Sequence, residues 1–393
     1  MKKVVTLRNR LSLSRFTLVD VIFLVIIFSL LSVTITIFVF KKYIKINNTN
    51  DIDKVYNQII NDYYEDVDKD ELSKSAIDGM MKFLGEKYSI YMDTDSTNRL
   101  TEELDGKYHG VGVVVQYKDN KLVIVDLLKD SPAEKGGLQK GDQILQLNDY
   151  VVTEDTNATV NYIKEHDEIA FLVRRNESDV IINIKTSDID NPVTSSKIIS
   201  KDDNNYGYIY LGSFTSAAYK QFKSELVSLE KENIKGLIID LRDNRGGYLD
   251  QAELISSMFV QKGKTLFYLK DKNESKAWID GTDEKRDYPI VVITNGNTAS
   301  SSEVLAMSLK ENNGALIVGT KSLGKGKVQE TTSVSNDSMV KFTTAKWYSP
   351  NNNNIDGVGI NPNYIVELSK KYYQYPIDKN DNQLNKAIEV LSK

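Results

Sequence analysis

The sequence predicts an α/β protein with a single N-terminal transmembrane helix, a helical lead-in, a β-rich middle domain and a larger α/β core. Three observations predict it. Residues 21–40 run for twenty positions without a charge. Residues 105–189 are a succession of short apolar runs bounded by turn residues. From residue 190 onward, wholly apolar runs such as GLIIDL, PIVVIT and GALIVGT alternate with segments of helical spacing. That rhythm implies an α/β domain with a largely buried sheet.

At the amino terminus, residues 1–15 carry Lys2, Lys3, Arg8, Arg10 and Arg15 and no acid. The apolar run VIFLVIIFSLLSVTITIFVF follows. At about 1.5 Å per residue it matches a hydrocarbon core of about 30 Å. It ends in Phe38, Val39 and Phe40, then Lys41 and Lys42, with no small-x-small cleavage site. The expectation is a cytoplasmic tail (1–16), a retained anchor (17–40) and a linker (41–53). The protein would then be a single-pass cell-membrane protein with its catalytic region outside the cytoplasm.

Residues 54–104 read as helical, with Val55, Ile59 and Ile60, then Leu72, Ile77, Met80, Met81 and Leu84 at helix spacing. Residues 105–189 form the β-rich domain. Residues 190–393 form the α/β core and close with a helix whose stripe is Leu384, Ala387, Ile388 and Leu391.

Composition narrows the chemistry. The 393 residues are 40% hydrophobic and 27% charged, which is globular rather than disordered composition. Fifty basic against fifty-five acidic residues argue against a nucleic-acid partner. No cysteine is present, which removes disulfide scaffolds, thiol nucleophiles and cysteine-ligated metals. The two histidines, His109 and His166, cannot make a His-rich metal site, and any Ser-His-Asp triad would need one of them. His109 borders a glycine loop and lacks a nearby carboxylate partner in sequence, and His166 sits in a polar helix end; both read as solvent or packing histidines. No metal or organic cofactor is called for.

The β-rich domain reads as a peptide binder. Gly110, Val111, Gly112 and Val113 form a glycine-containing loop that enters a strand. Such a loop converges backbone N–H groups on a terminal carboxylate, and an exposed strand edge accepts an extended peptide. The run DSPAEKGGLQKGD supplies a turn, a helix end and a strand start. These two segments resemble a PDZ domain of the kind embedded in bacterial proteases.

The core carries the candidate chemistry. TNGNTASSSEVLA is a strand end, a tight turn and a helix start, with Ser300, Ser301 and Ser302 at the turn. A helix N-terminus favours a developing oxyanion. On its own, ordinary N-capping explains these serines as well. GTKSLGKGKVQE places Lys325 between Gly324 and Gly326, with Gln329 four residues on. A buried lysine loses its proton more easily and can serve as a base. An amide such as Gln329 can hold the amine without charging it. GLIIDLRDNRGG ends a buried strand in a glycine turn that can offer an N–H to an oxyanion.

Together these segments resemble the carboxyl-terminal processing peptidases, also called tail-specific proteases. The likeness runs from about residue 53 to the end and includes D-L-R-D-N-x-G-G, T-A-S-x-S-E, G-K-G-x-V-Q and the late PNNNNIDGVGINP stretch. It implies a crotonase-like α/β core with an embedded PDZ domain. It implies a dyad of serine and lysine twenty-five residues apart, which selects Ser300 with Lys325. It further implies that Gln329 supports Lys325, that Gly246 and Ser301 give the oxyanion N–H groups, and that Arg175 senses the orientation of the PDZ domain. Partners would be protein or peptide substrates bound through their C-termini, and the membrane, with a homodimer allowed. Three departures are visible: Arg245 for proline, Ser301 for alanine and Asn363 for aspartate. The function expected is a membrane-anchored serine endopeptidase. The competing readings are a catalytically inactive, membrane-tethered PDZ scaffold and a Ser-Lys signal peptidase; the PDZ-like insertion disfavours the latter.

Overall fold

A computed structural model describes residues 18–43, 49–334 and 338–393, with side chains described at 19, 21–36 and from 51 onward. The expected basic tail lies outside these residues. Two compact units are present, 1–77 and 78–393.

In the first unit, residues Leu18–Tyr43 and Thr49–Asp62 are helical. The membrane expectation is corrected here. Among the described residues, no helix is long and apolar enough to cross a membrane.

In the second unit, the middle domain is an antiparallel sheet ordered Val113–Lys118, Lys121–Leu127, Gln143–Leu147, Glu168–Arg175, Ser178–Lys185, with Tyr150–Val151 beside Gln143–Leu147. The alternation in EIAFLVRR sends Ile169, Phe171 and Val173 inward, all fully buried. Val113–Lys118 is one edge strand and Ser178–Lys185 the other. The chain enters through Lys107–Gly110 and leaves through Ser187–Asp190, and these two strands pair antiparallel. The middle domain is therefore an insertion whose two ends are zipped together.

The core sheet follows chain order: Thr194–Lys201, Asn204–Leu211, Leu237–Asp240, Ile290–Thr294, Leu316–Gly319, Tyr364–Ile365. Only the first pair is antiparallel. Burial of both faces explains why its central strands, Leu237–Asp240, Ile290–Thr294 and Leu316–Gly319, are almost wholly apolar, whereas the edge strand Thr194–Lys201 is polar. Leu237, Ile239, Val292 and Ile317 pack with residues of the helices Ala218–Glu230, Leu249–Ser257 and Ser301–Asn313. Ile238, Val291, Ile293 and Val318 pack with Leu384, Ala387 and Leu391 of the closing helix Asn382–Leu391. Arg242 ties that helix to the sheet: its Nη2 donates to Asp381 at 2.8 Å, its Nη1 to Gln383 at 3.1 Å, and its Nε to Asp240.

A second sheet was not legible in the sequence. It joins Ile90–Met92, Thr265–Lys270, Ser275–Ile279, Lys327–Ser333 and Met339–Tyr348. The hairpin Lys327–Ser333 with Met339–Tyr348 starts two residues after Lys325 and so sets where that lysine sits.

Candidate active site

Ser300 is the cap residue of helix Ser301–Asn313 and adopts φ 57°, ψ −120°. A non-glycine residue held there is strained, so its surroundings must over-determine it. They do. The Ala299 N–H donates to the Asn244 carbonyl at 3.0 Å, and Thr298 Oγ1 donates to the Leu241 carbonyl at 2.8 Å. The Ser300 N–H donates to the Glu303 carboxylate at 2.9 Å.

The three serines are now distinct. Ser301 and Ser302 are buried, and their hydroxyls donate to the carbonyls of Gly247 (2.9 Å) and Asn244 (3.0 Å). Ser300 is half-buried and lines a cavity of about 1110 Å³ together with Gly246, Lys325, Gln329, Arg245 and Lys341.

Lys325 reaches this cavity from a loop folded close against its neighbours. Gly324 has φ 83°, and a Cβ there would lie 2.6 Å from the Gly359 nitrogen. Trp347 Nε1 donates to the Lys325 carbonyl at 2.9 Å. Burial pushes the Lys325 amine below its ordinary value, the charge of Lys341 pushes the same way, and Glu303 opposes both. The Tyr88 ring centroid lies 5.2 Å from Nζ.

Glu303 is the residue that sequence reasoning used only as part of a motif. It is fully buried, and one carboxylate accepts the N–H groups of Ser300 (2.9 Å), Gly324 (2.8 Å) and Lys325 (2.9 Å), as well as the Ser322 hydroxyl. It fastens the serine turn to the lysine loop. The signal available was a capping-box glutamate three residues after Ser300.

The remaining expected residues fall as follows. Gln329 lines the cavity, and its Nε2 donates to Thr343 Oγ1 at 3.3 Å. Gly246 has φ 99°, and a Cβ there would meet Ser300 Cβ at 2.9 Å, so only glycine lets this backbone lie against the serine. Its N–H donates to Asn244 Oδ1 at 2.9 Å, a bond that an oxyanion would have to share or displace. Asn363 keeps an acceptor where aspartate was expected: its Oδ1 receives the Ile317 N–H at 2.9 Å.

Gly110, Val111, Gly112 and Val113 lie outside the lining of that cavity. The Val111 carbonyl accepts the Ala133 N–H and the Gly112 carbonyl the Leu128 N–H. Gly112 has φ 84°, and a Cβ there would be 2.4 Å from Ser131 Cβ, so a larger residue at 112 would distort the loop itself. Arg175 is committed within its own domain: Nε and Nη2 bind Asp142 at 2.7 and 2.6 Å, and Nη2 also donates to the Gly137 carbonyl. His109 does have a carboxylate partner, Asp188, at 3.1 Å, brought across by strand pairing from 79 residues away. His166 Nδ1 lies 2.8 Å from the Tyr162 carbonyl.

Comparison with known proteins agrees with this geometry. Residues 205–366 match the family model of peptidase family S41, residues 123–175 that of a PDZ domain, and residues 39–96 that of the activating protease CtpB N-terminal domain. The carboxy-terminal processing protease CtpB of Bacillus subtilis is 34% identical over 345 residues, covering 86% of this chain and 71% of that relative. The carboxy-terminal processing protease CtpA of the same organism is 35% identical over 322 residues, covering 81% and 68%. Among solved structures, a photosystem II D1 C-terminal processing protease shares the fold at a TM-score of 0.50 and 22% identity, covering 82% of this chain and 87% of that one.

Proposed function

This chain belongs to peptidase family S41 and is a serine-type endopeptidase with a PDZ domain, and from that premise we propose that Ser300 and Lys325 are its catalytic dyad. The observation that carries the proposal is the shared carboxylate of Glu303, which receives the backbone N–H of both residues at 2.9 Å. Their joint lining of one cavity and the lowered pKa of Lys325 support the same reading.

In this mechanism the neutral Lys325 amine takes the Ser300 hydroxyl proton as Oγ attacks the peptide carbonyl. The negative charge forms on the carbonyl oxygen. The backbone N–H groups of Gly246 and Ser301 receive it, with Gly246 released from Asn244. The lysine then returns the proton to the leaving amine, and water, deprotonated by the same amine, hydrolyses the acyl-enzyme. Gln329 lines the lysine side of the cavity as a neutral polar group that leaves the amine uncharged. The loop at Gly110, Val111, Gly112 and Val113 holds the substrate C-terminus, and the edge strand beside it accepts the extended chain. Ser300→Ala and Lys325→Ala should each abolish cleavage of a casein substrate with the fold retained by circular dichroism. Near-normal cleavage by Ser300→Ala would overturn the dyad. The same assay decides against the inactive-scaffold reading.

A further inference from the structure

Charge at the mouth of the site is unevenly neutralised. Lys327 is paired with Glu86. Arg245 and Lys341 line the same cavity, and neither has a carboxylate within ion-pair distance among the described residues. Arg245 is exposed and immediately precedes Gly246, whose backbone lies against Ser300. Asp243, in the same lining, interacts electrostatically with Arg245 without forming an ion pair with it: its Oδ1 accepts from the side-chain amides of Asn295 (3.0 Å) and Asn297 (2.8 Å). Lys341 approaches from the hairpin strand Met339–Tyr348, close enough to Lys325 for its charge to act on that amine. Two cations without an ion-pair partner among the described residues therefore line the cavity of Ser300, one from the glycine turn and one from the hairpin, alongside the carboxylates of Glu102, Glu103, Asp243 and Glu330.

We propose that Arg245 and Lys341 form a cationic subsite that selects substrates with an acidic side chain within a few residues of the scissile bond. The guanidinium offers a planar donor fork to a carboxylate, and Lys341 adds a point charge. The inference rests on Ser300 marking the reacting centre. It concerns which sequence is cut, whereas the PDZ loop concerns which end is held.

The test uses long peptides with a remote C-terminus and one flanking position varied between Asp and Asn, so that the terminal carboxylate is constant. The quantity read is the ratio of kcat/KM for the Asp peptide to that for the Asn peptide. With the wild-type chain this ratio should reach about three to five at its best position, the range an exposed ion pair supports, and fall with added salt. Arg245→Gln should bring it close to one, Arg245→Glu should invert it, and Arg245→Lys should keep most of it. A purely structural role for Arg245 would lower both rates together and leave the ratio unchanged. A ratio of one at every flanking position in the wild-type chain, or a ratio untouched by Arg245→Glu, would overturn the proposal while leaving the dyad intact. Cleavage surviving Ser300→Ala would instead overturn the dyad, and this subsite with it.

Discussion

The loop that ends at Gly326 and the strand that begins at Lys327 treat the same side chain in opposite ways. Lys325 and Lys327 are two residues apart, and both ammonium groups lie over the Tyr88 ring, at 5.2 and 5.9 Å. Lys327 is bound to Glu86, which raises its pKa. Lys325 is half-buried without such a partner, and desolvation and then the charge of Lys341 lower its pKa. Glu303, a carboxylate bonded to this loop, spends its oxygens on backbone N–H groups and the Ser322 hydroxyl. The difference teaches that a lysine becomes a base here through where the neighbouring carboxylates are spent. Burial alone would leave a costly unpaired cation.

The largest effect expected is loss of the base itself. Lys325→Ala should reduce single-turnover cleavage by about 10⁴-fold or more, as removal of a dyad member does, while Lys327→Ala should leave most of the rate. Next is Glu303→Gln. One amide cannot accept all the N–H groups that the carboxylate holds, so the serine turn and lysine loop should drift apart. A displacement of this kind costs about 10²-fold in rate, read as kcat with KM little changed.

Smaller effects concern charge. Lys341→Ala removes a cation that helps keep Lys325 neutral, so the ascending limb of the kcat/KM pH profile should move to higher pH. Glu86→Gln should cost about 1 kcal/mol of stability, the scale of a partly exposed ion pair. Its pH dependence follows from a carboxyl brought down to about 2: burial would raise it, but hydrogen bonds from Lys327, Ser89 and Thr343 outweigh that. A depressed carboxyl stabilises the folded chain above its ordinary value near 4.5, and the contribution is lost as pH falls toward 2. Wild type and Glu86→Gln should therefore converge in urea midpoint over that window and differ above it.

Much of this was legible in the sequence, for physical reasons. Almost wholly apolar strands such as LIID and IVVIT read as a two-sided buried sheet because both faces carry helices. The serine turn and the lysine loop read because glycine and serine cluster where backbone must bend or approach closely. What did not read depended on contacts between distant segments. The hairpin Lys327–Ser333 with Met339–Tyr348 is too polar to stand out as buried strand, even though Ser335, Asn336, Asp337 and Ser338 between its strands are turn-forming residues. The His109–Asp188 pair joins the two ends of an insertion, which no local pattern reveals. Choosing Ser300 among three serines needed either the resemblance or the sight of Ser301 and Ser302 spending their hydroxyls on backbone carbonyls.

The most direct measurement is the pH dependence of single-turnover cleavage of a non-titrating peptide, with Lys341→Ala measured alongside. A base of this kind must be neutral to act, so the rate should rise with pH through one ionisation below the ordinary lysine value of about 10.4, and that ionisation should move upward in Lys341→Ala. A profile with the same position in both proteins, or one that survives in Lys325→Ala, would contradict Lys325 as the base.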